Sequence, residues 1–116
     1  MILTIEDVRK TIQNTLGNDL YANNIIRVGV FGSIARGEAS EKSDVDLLIE
    51  YDYSKDISDY FYLCDEIRTE FRKKHKKEVS IVDSIALNYE ENKHIGKAIE
   101  RYVIWVWHQQ KTEVGT

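Results

Sequence analysis

The sequence predicts an α/β (α+β) fold, a small mixed sheet covered by helices, on three observations. Three short β-branched apolar runs, Ile25–Phe31, Val45–Tyr51 and residues 78–83, are each bounded by polar or turn-forming residues. Segments with apolar residues at helical spacing stand before, between and after them, so helices and strands alternate. At 116 residues the chain is one domain's worth, against a prior of ~150 per domain. We take residues 1–110 as that domain and residues 111–116 as a polar tail.

Ile5, Val8, Ile12 and Leu16 recur at helical spacing, with Thr4 as N-cap, Asp7 three residues on and Gly17-Asn18 as a stop, so a first helix is expected over residues 4–16. Ile25–Phe31 follows Asn23-Asn24 and runs into Gly32-Ser33, which reads as a buried strand, with a short helical turn after it at residues 34–36. The polar stretch 38–43 delivers the chain to a second strand, Val45–Tyr51, with Asp44 at its entry. From Ile57 the positions Tyr60, Phe61, Cys64, Ile67 and Phe71 step by three and four, the signature of a long amphipathic helix. A third strand at residues 78–83 and a turn near Asn88 lead to a last helix, with Ile95, Ala98, Ile99, Tyr102, Val103 and Val106 on one face. That helix also carries Ile104, Trp105 and Trp107, so residues 102–107 are apolar almost all round, and the tryptophans are expected in the core or at an interface. The expected order is α-β-α-β-α-β-α.

Composition excludes several functions. Hydrophobic residues make up 42% and charged residues 31%, enough for a packed core. Sixteen Lys and Arg against twenty Asp and Glu give a net charge of -4, so no overall basic field exists for non-specific nucleic-acid binding. Cys64 is the single cysteine and falls on a core face, and His75, His94 and His108 lack ligand spacing, which disfavours disulfides and zinc. No run is long enough to span a membrane, and residues 1–10 lack a signal-peptide pattern, so a cytoplasmic protein is expected. The basic run 72–77 reads as a solvated helix C-terminus complementing the helix dipole, with a contact to RNA or an acidic partner as the alternative.

The chemistry concentrates in Gly29-Val30-Phe31-Gly32-Ser33-Ile34-Ala35-Arg36-Gly37 and the later Asp44-Val45-Asp46-Leu47. A Gly-Ser pair leaving a strand for a helical turn offers backbone N–H groups and a hydroxyl to phosphate oxygens, so Gly32 and Ser33 are nucleotide-binding candidates. Asp44 and Asp46 are two apart on a strand, so both carboxylates leave one face with Cα atoms roughly 6.5–7 Å apart. Two like charges on one face call for a cation, and all-oxygen ligands suit Mg²⁺ or Mn²⁺ carried with nucleotide phosphates. Arg36 is either a contact to the triphosphate or a structural ion pair.

Gly32-Ser33, ten intervening residues and Asp44-x-Asp46, within GSIARGEASEKSDVDLLIE, resemble the signature of the DNA polymerase β-like nucleotidyltransferase superfamily, and most closely its minimal nucleotidyltransferase (MNT) domains. The resemblance covers nearly the whole chain. It implies the nucleotidyltransferase fold and transfer of a nucleoside monophosphate, AMP from ATP or another NTP as donor, to a hydroxyl with release of pyrophosphate. It also implies that Ser33 binds terminal phosphates while Asp44 and Asp46 are catalytic carboxylates holding Mg²⁺ (or Mn²⁺). In that family such domains pair with a small helical HEPN-type toxin, a ribonuclease, as MntA-type antitoxins. A catalytically weak partner-binding module, and an aminoglycoside-type transferase acting as a homo-oligomer, are the two rival expectations.

One position departs from the family pattern. A third catalytic carboxylate is expected on the next strand, and aligning the pattern on Val79-Ser80-Ile81-Val82, with Leu87 as the later leucine, puts Ser80 there. Asp83 is the nearest aspartate, but it shares parity with Val79 and Ile81 and reaches the site only if the strand ends or bulges first. The expectation is therefore that Ser80 faces Asp44 and Asp46 and that Asp83 points elsewhere.

Overall fold

The computed structural model describes residues 2–17, 20–54, 56–88 and 93–109; the expected tail at 111–116 lies outside them. Helix α1 (Ile5–Leu16) starts where local chemistry dictates, in a capping box. The Thr4 N–H donates to Asp7 at 3.0 Å and the Asp7 N–H to the Thr4 hydroxyl at 3.2 Å. Strand β1 (Ile25–Phe31), the single turn α2 (Gly32–Ala35) and strand β2 (Val45–Tyr51) follow. Helix α3 (Ile57–His75) is capped by Asp56, whose carboxylate accepts from the Ser58 N–H at 2.9 Å. Strand β3 (Val79–Asp83) leads through a 3₁₀ turn (Ser84–Asn88) to helix α4 (Lys93–Tyr102) and strand β4 (Ile104–His108).

The four strands form a mixed sheet in the order β3-β2-β1-β4, with β1 antiparallel to β2 and to β4, and β2 parallel to β3. Alternation sorts its two faces. Val28 and Val30 lie beside Ile49 and Leu47, and these fully buried side chains pack with Val8, Ile12 and Leu16 of α1 and Leu63, Ile67 and Phe71 of α3. Burying each is worth roughly 1.5–3 kcal/mol, so this face fixes the register of every strand it includes. The opposite face carries Phe31 beside Asp46 and Gly29 beside Leu48.

The chain's end differs from the expected single helix. Helix α4 stops at Tyr102, and Ile104–His108 is a strand. Strand β1 buries Val28, Gly29 and Val30 and so needs a neighbour on each edge; β4, rich in β-branched and aromatic residues, supplies the second. Gly29 is required for the approach, since a Cβ there would collide with Val103 and the Trp105 ring. Both tryptophans have intramolecular places: Trp107 packs on the core, and Trp105 lies under the Arg27 guanidinium, 3.6 Å from the ring centre.

Helix α3 ends on Lys76, held in the left-handed conformation at φ 54° without being glycine. Because Lys76 is exposed, Lys76→Gly should raise unfolding free energy by ~0.5–1 kcal/mol in urea denaturation, with an unchanged m-value.

Candidate functional site

The site forms where β1 ends and β2 begins. Their antiparallel register pairs Phe31 with Asp46, so the residue after Phe31 must turn away directly over the Asp46 side chain. Gly32 does this at φ +73°, and the Asp46 carboxylate occupies the space a Cβ on residue 32 would need. No other residue type fits there without displacing the carboxylate.

The turn is closed by backbone bonds from Arg36 N–H to the Gly32 carbonyl (3.1 Å), Gly37 N–H to Ile34 (3.2 Å) and Glu38 N–H to Ser33 (2.8 Å). These hold Ser33, partly exposed, beside the carboxylate end of β2. Arg36 is exposed and paired with Glu38 at 3.1 Å, and its charge also reaches Asp46.

Asp44 is exposed at the entry to β2, and Asp46 is half-buried. Burial pushes the Asp46 carboxyl above its ordinary value, the neighbouring Asp44 charge adds to the rise, and Arg36 offsets part of it. An anion held against its preference beside a second anion suits a divalent cation. Among the described residues no group of three or more His, Cys, Asp or Glu side chains is arranged to hold a metal. A pair of carboxylates still fits Mg²⁺, which is commonly bound by one or two carboxylates together with substrate phosphates.

The parallel register of β2 and β3 places the remaining candidates. Ser80 is Asp46's direct neighbour, on the same face, and is exposed. Asp83 is the neighbour of Ile49, on the core-facing side and about 10 Å further along the strand. There its carboxylate accepts from the Ile85 N–H at 3.0 Å and faces Tyr53, whose phenol is raised by burial and then by that carboxylate. The structure thus brings Gly32, Ser33, Arg36, Asp44, Asp46 and Ser80 together and leaves Asp83 apart.

The basic run 72–77 is more structured than a solvated helix end. Arg72 pairs with Glu78 at 3.3 Å, Lys74 with Glu70 at 3.5 Å, and the His75 ring meets the Thr11 hydroxyl at 2.8 Å. Lys77 is buried, a placement that charge patterning alone does not foretell.

Comparison with known proteins identifies the family and the fold. Residues 10–110 match the family described as polymerase beta, nucleotidyltransferase. A Methanocaldococcus jannaschii relative named "Putative protein adenylyltransferase MJ0128" is 34% identical over 79 residues, covering 68% of this chain and 74% of its own. A structure described as "Structure of putative minimal nucleotidyltransferase" superposes with a TM-score of 0.64 at 27% identity, covering 88% of this chain and 95% of that one. A second, described as "Crystal structure of the toxin-antitoxin with AMP-PNP", shares the fold, with a TM-score of 0.61, 16% identity and coverage of 89% and 75%.

The strain on Asp46 has a pH signature in chelator-treated protein. Its folded pKa lies above the ordinary 3.8, so between those two values the native state binds more protons than the unfolded chain, and stability falls as pH rises through that window. Asp46→Asn removes the penalty. The variant should melt above the wild type at pH 7, and the gain should vanish below pH ~3.8, the unfolded Asp value. Thermal melts at pH 3 and pH 7 check both.

Proposed function

The chain belongs to the polymerase β-type nucleotidyltransferase family, and from that premise we propose that it transfers AMP from ATP to a hydroxyl of a partner protein. The contact between the Gly32 turn and the half-buried Asp46, with Asp44 beside it, carries this reading. It joins a phosphate-binding turn to a pair of carboxylates in one small volume. The relative named as a protein adenylyltransferase supports a protein acceptor over a small molecule.

In the proposed reaction the acceptor oxygen forms a bond to the α-phosphorus, the bond to the pyrophosphate leaving group breaks, and the acceptor proton passes to a base. Ser33 and the turn amides orient the terminal phosphates, and Arg36 is near enough to Asp46 to share its field with them. Asp44 and Asp46 would hold Mg²⁺, which when bound neutralises charge developing on the phosphate oxygens. Ser80 stands where a carboxylate base would be useful and is a poor base, so proton removal falls to solvent or to a group on the acceptor.

The neighbour described as a toxin-antitoxin assembly motivates the partner proposed here, a HEPN-type toxin that this chain neutralises. A second reading is favoured by Ser80 alone: a chain that binds nucleotide and masks its partner with little turnover. No helix among the described residues is long and apolar enough to cross a membrane.

Co-expression with the product of the adjacent gene, followed by intact-mass measurement, tests the transfer. The partner should gain whole AMP units, and an unmodified but tightly bound partner would favour masking. Asp46→Asn should weaken Mg²⁺-ATP binding at least about tenfold in calorimetry, since even outer-shell changes at metal sites cost 10–100-fold. Unchanged affinity would reject the assignment. Ser80→Asp should tighten Mn²⁺ binding severalfold and raise turnover, by adding an oxygen ligand and a base.

A further inference from the structure

Lys77 is only 9% exposed, the one buried basic side chain among the described residues. A buried ammonium needs a compensating acceptor. Its Nζ donates to the backbone carbonyl of Glu41, 36 residues earlier and three before Asp44. The next carbonyl, that of Glu78, accepts from the Val45 N–H at 3.0 Å, immediately after Asp44. The segment leaving α3 therefore grips the loop on both sides of Asp44.

That loop has its own closure. The Ser40 N–H donates to the Ser43 hydroxyl at 2.8 Å, and the Ser43 N–H to the Ser40 carbonyl at 3.1 Å. A rigid turn pinned at Glu41 and at Val45 leaves little freedom for the residue in between. Asp44 is itself exposed, so nothing in its own packing fixes its position.

We propose that Lys77 is a positioning residue for Asp44: its ammonium fixes the loop so that the Asp44 carboxylate stands ready beside Asp46 before a cation arrives. This rests on the reading that Asp44 and Asp46 hold that cation. Preorganising an exposed ligand from behind avoids the ordering cost that binding would otherwise carry.

The test uses the full chain and three variants, Lys77→Met, Lys77→Gln and Lys77→Arg, with Mn²⁺ and ATP as the probes, at a temperature where each is folded. Met removes the charge and the donor, Gln removes the charge and shortens the side chain by one bond, and Arg keeps both charge and reach. Lys77→Met and Lys77→Gln should weaken Mn²⁺ binding in the presence of ATP by about tenfold, while Lys77→Arg stays near the wild type. In metal-free protein the amides of residues 43–45 should exchange faster in Lys77→Gln than in the wild type. If Met unfolds the chain, Gln and Arg carry the comparison.

A purely structural lysine would lower the melting temperature and leave Mn²⁺ affinity unchanged in the folded variants, and that result overturns the proposal. Failure of Arg to rescue overturns it too. Asp46→Asn in the same titration separates the two readings. If it binds Mn²⁺-ATP as tightly as the wild type, the metal site itself is wrong and the proposal falls with it. If it loses binding while Lys77→Met keeps it, only the role of Lys77 is refuted.

Discussion

The register between β1 and β2 is the constraint on which the rest depends. Pairing Phe31 with Asp46 places Gly32 over the carboxylate, and only a residue without a side chain, at φ +73°, can stand there. The register is set on the other face, where Val28 and Val30 meet Ile49 and Leu47 in the core. A slip of β2 by one residue would turn Asp46 into that core and expose the three inward aliphatic side chains Val45, Leu47 and Ile49, at ~1.5–3 kcal/mol each. The energetics of the apolar face thereby hold the polar face to its geometry, including the unfavourable burial of Asp46.

Most of this was legible in the sequence because local rules and the tertiary fold agree. The capping box at Thr4 and Asp7, both long strands and the amphipathic α3 all lie where propensity and period place them. The end of the chain was not legible. Val103 and Val106 continue the i, i+3, i+4 pattern of α4 by coincidence, so period alone extends the helix through what is β4. The contrary signal was present in the run Val103-Ile104-Trp105-Val106-Trp107, which is β-branched and aromatic throughout. What decides the matter is non-local: β1, buried on both faces, leaves an edge that some strand must fill.

Within the site, sequence parity carried further than charge patterning. Alternation alone places Ser80 on the face of Asp46 and Asp83 on the other, and the parallel register of β2 and β3 has that arrangement. Charge patterning grouped Lys77 with its solvated neighbours because a run of six basic residues looks uniform. The left-handed turn at Lys76 breaks that uniformity, ending the helix and sending the next side chain inward to Glu41. A backbone conformation that only the fold reveals thus separates one lysine from five similar residues.

The electrostatics of the site point one way. Asp44 and Asp46 repel, burial raises Asp46, and Arg36 is already engaged by Glu38, so the apo pair is under-neutralised. Nothing about folding rewards that arrangement; a ligand bringing positive charge does. Parity then bears on the chemistry such a ligand would meet. With Ser80 beside Asp46 and Asp83 committed to the Ile85 amide and Tyr53, no described residue beside the Asp44 and Asp46 pair is an evident base. On the proposed reading, the acceptor must then arrive with its hydroxyl activated by its own neighbours or by water. Such a site discriminates among acceptors by what they bring to it, which is a physical reason for a minimal transferase to act on one partner surface.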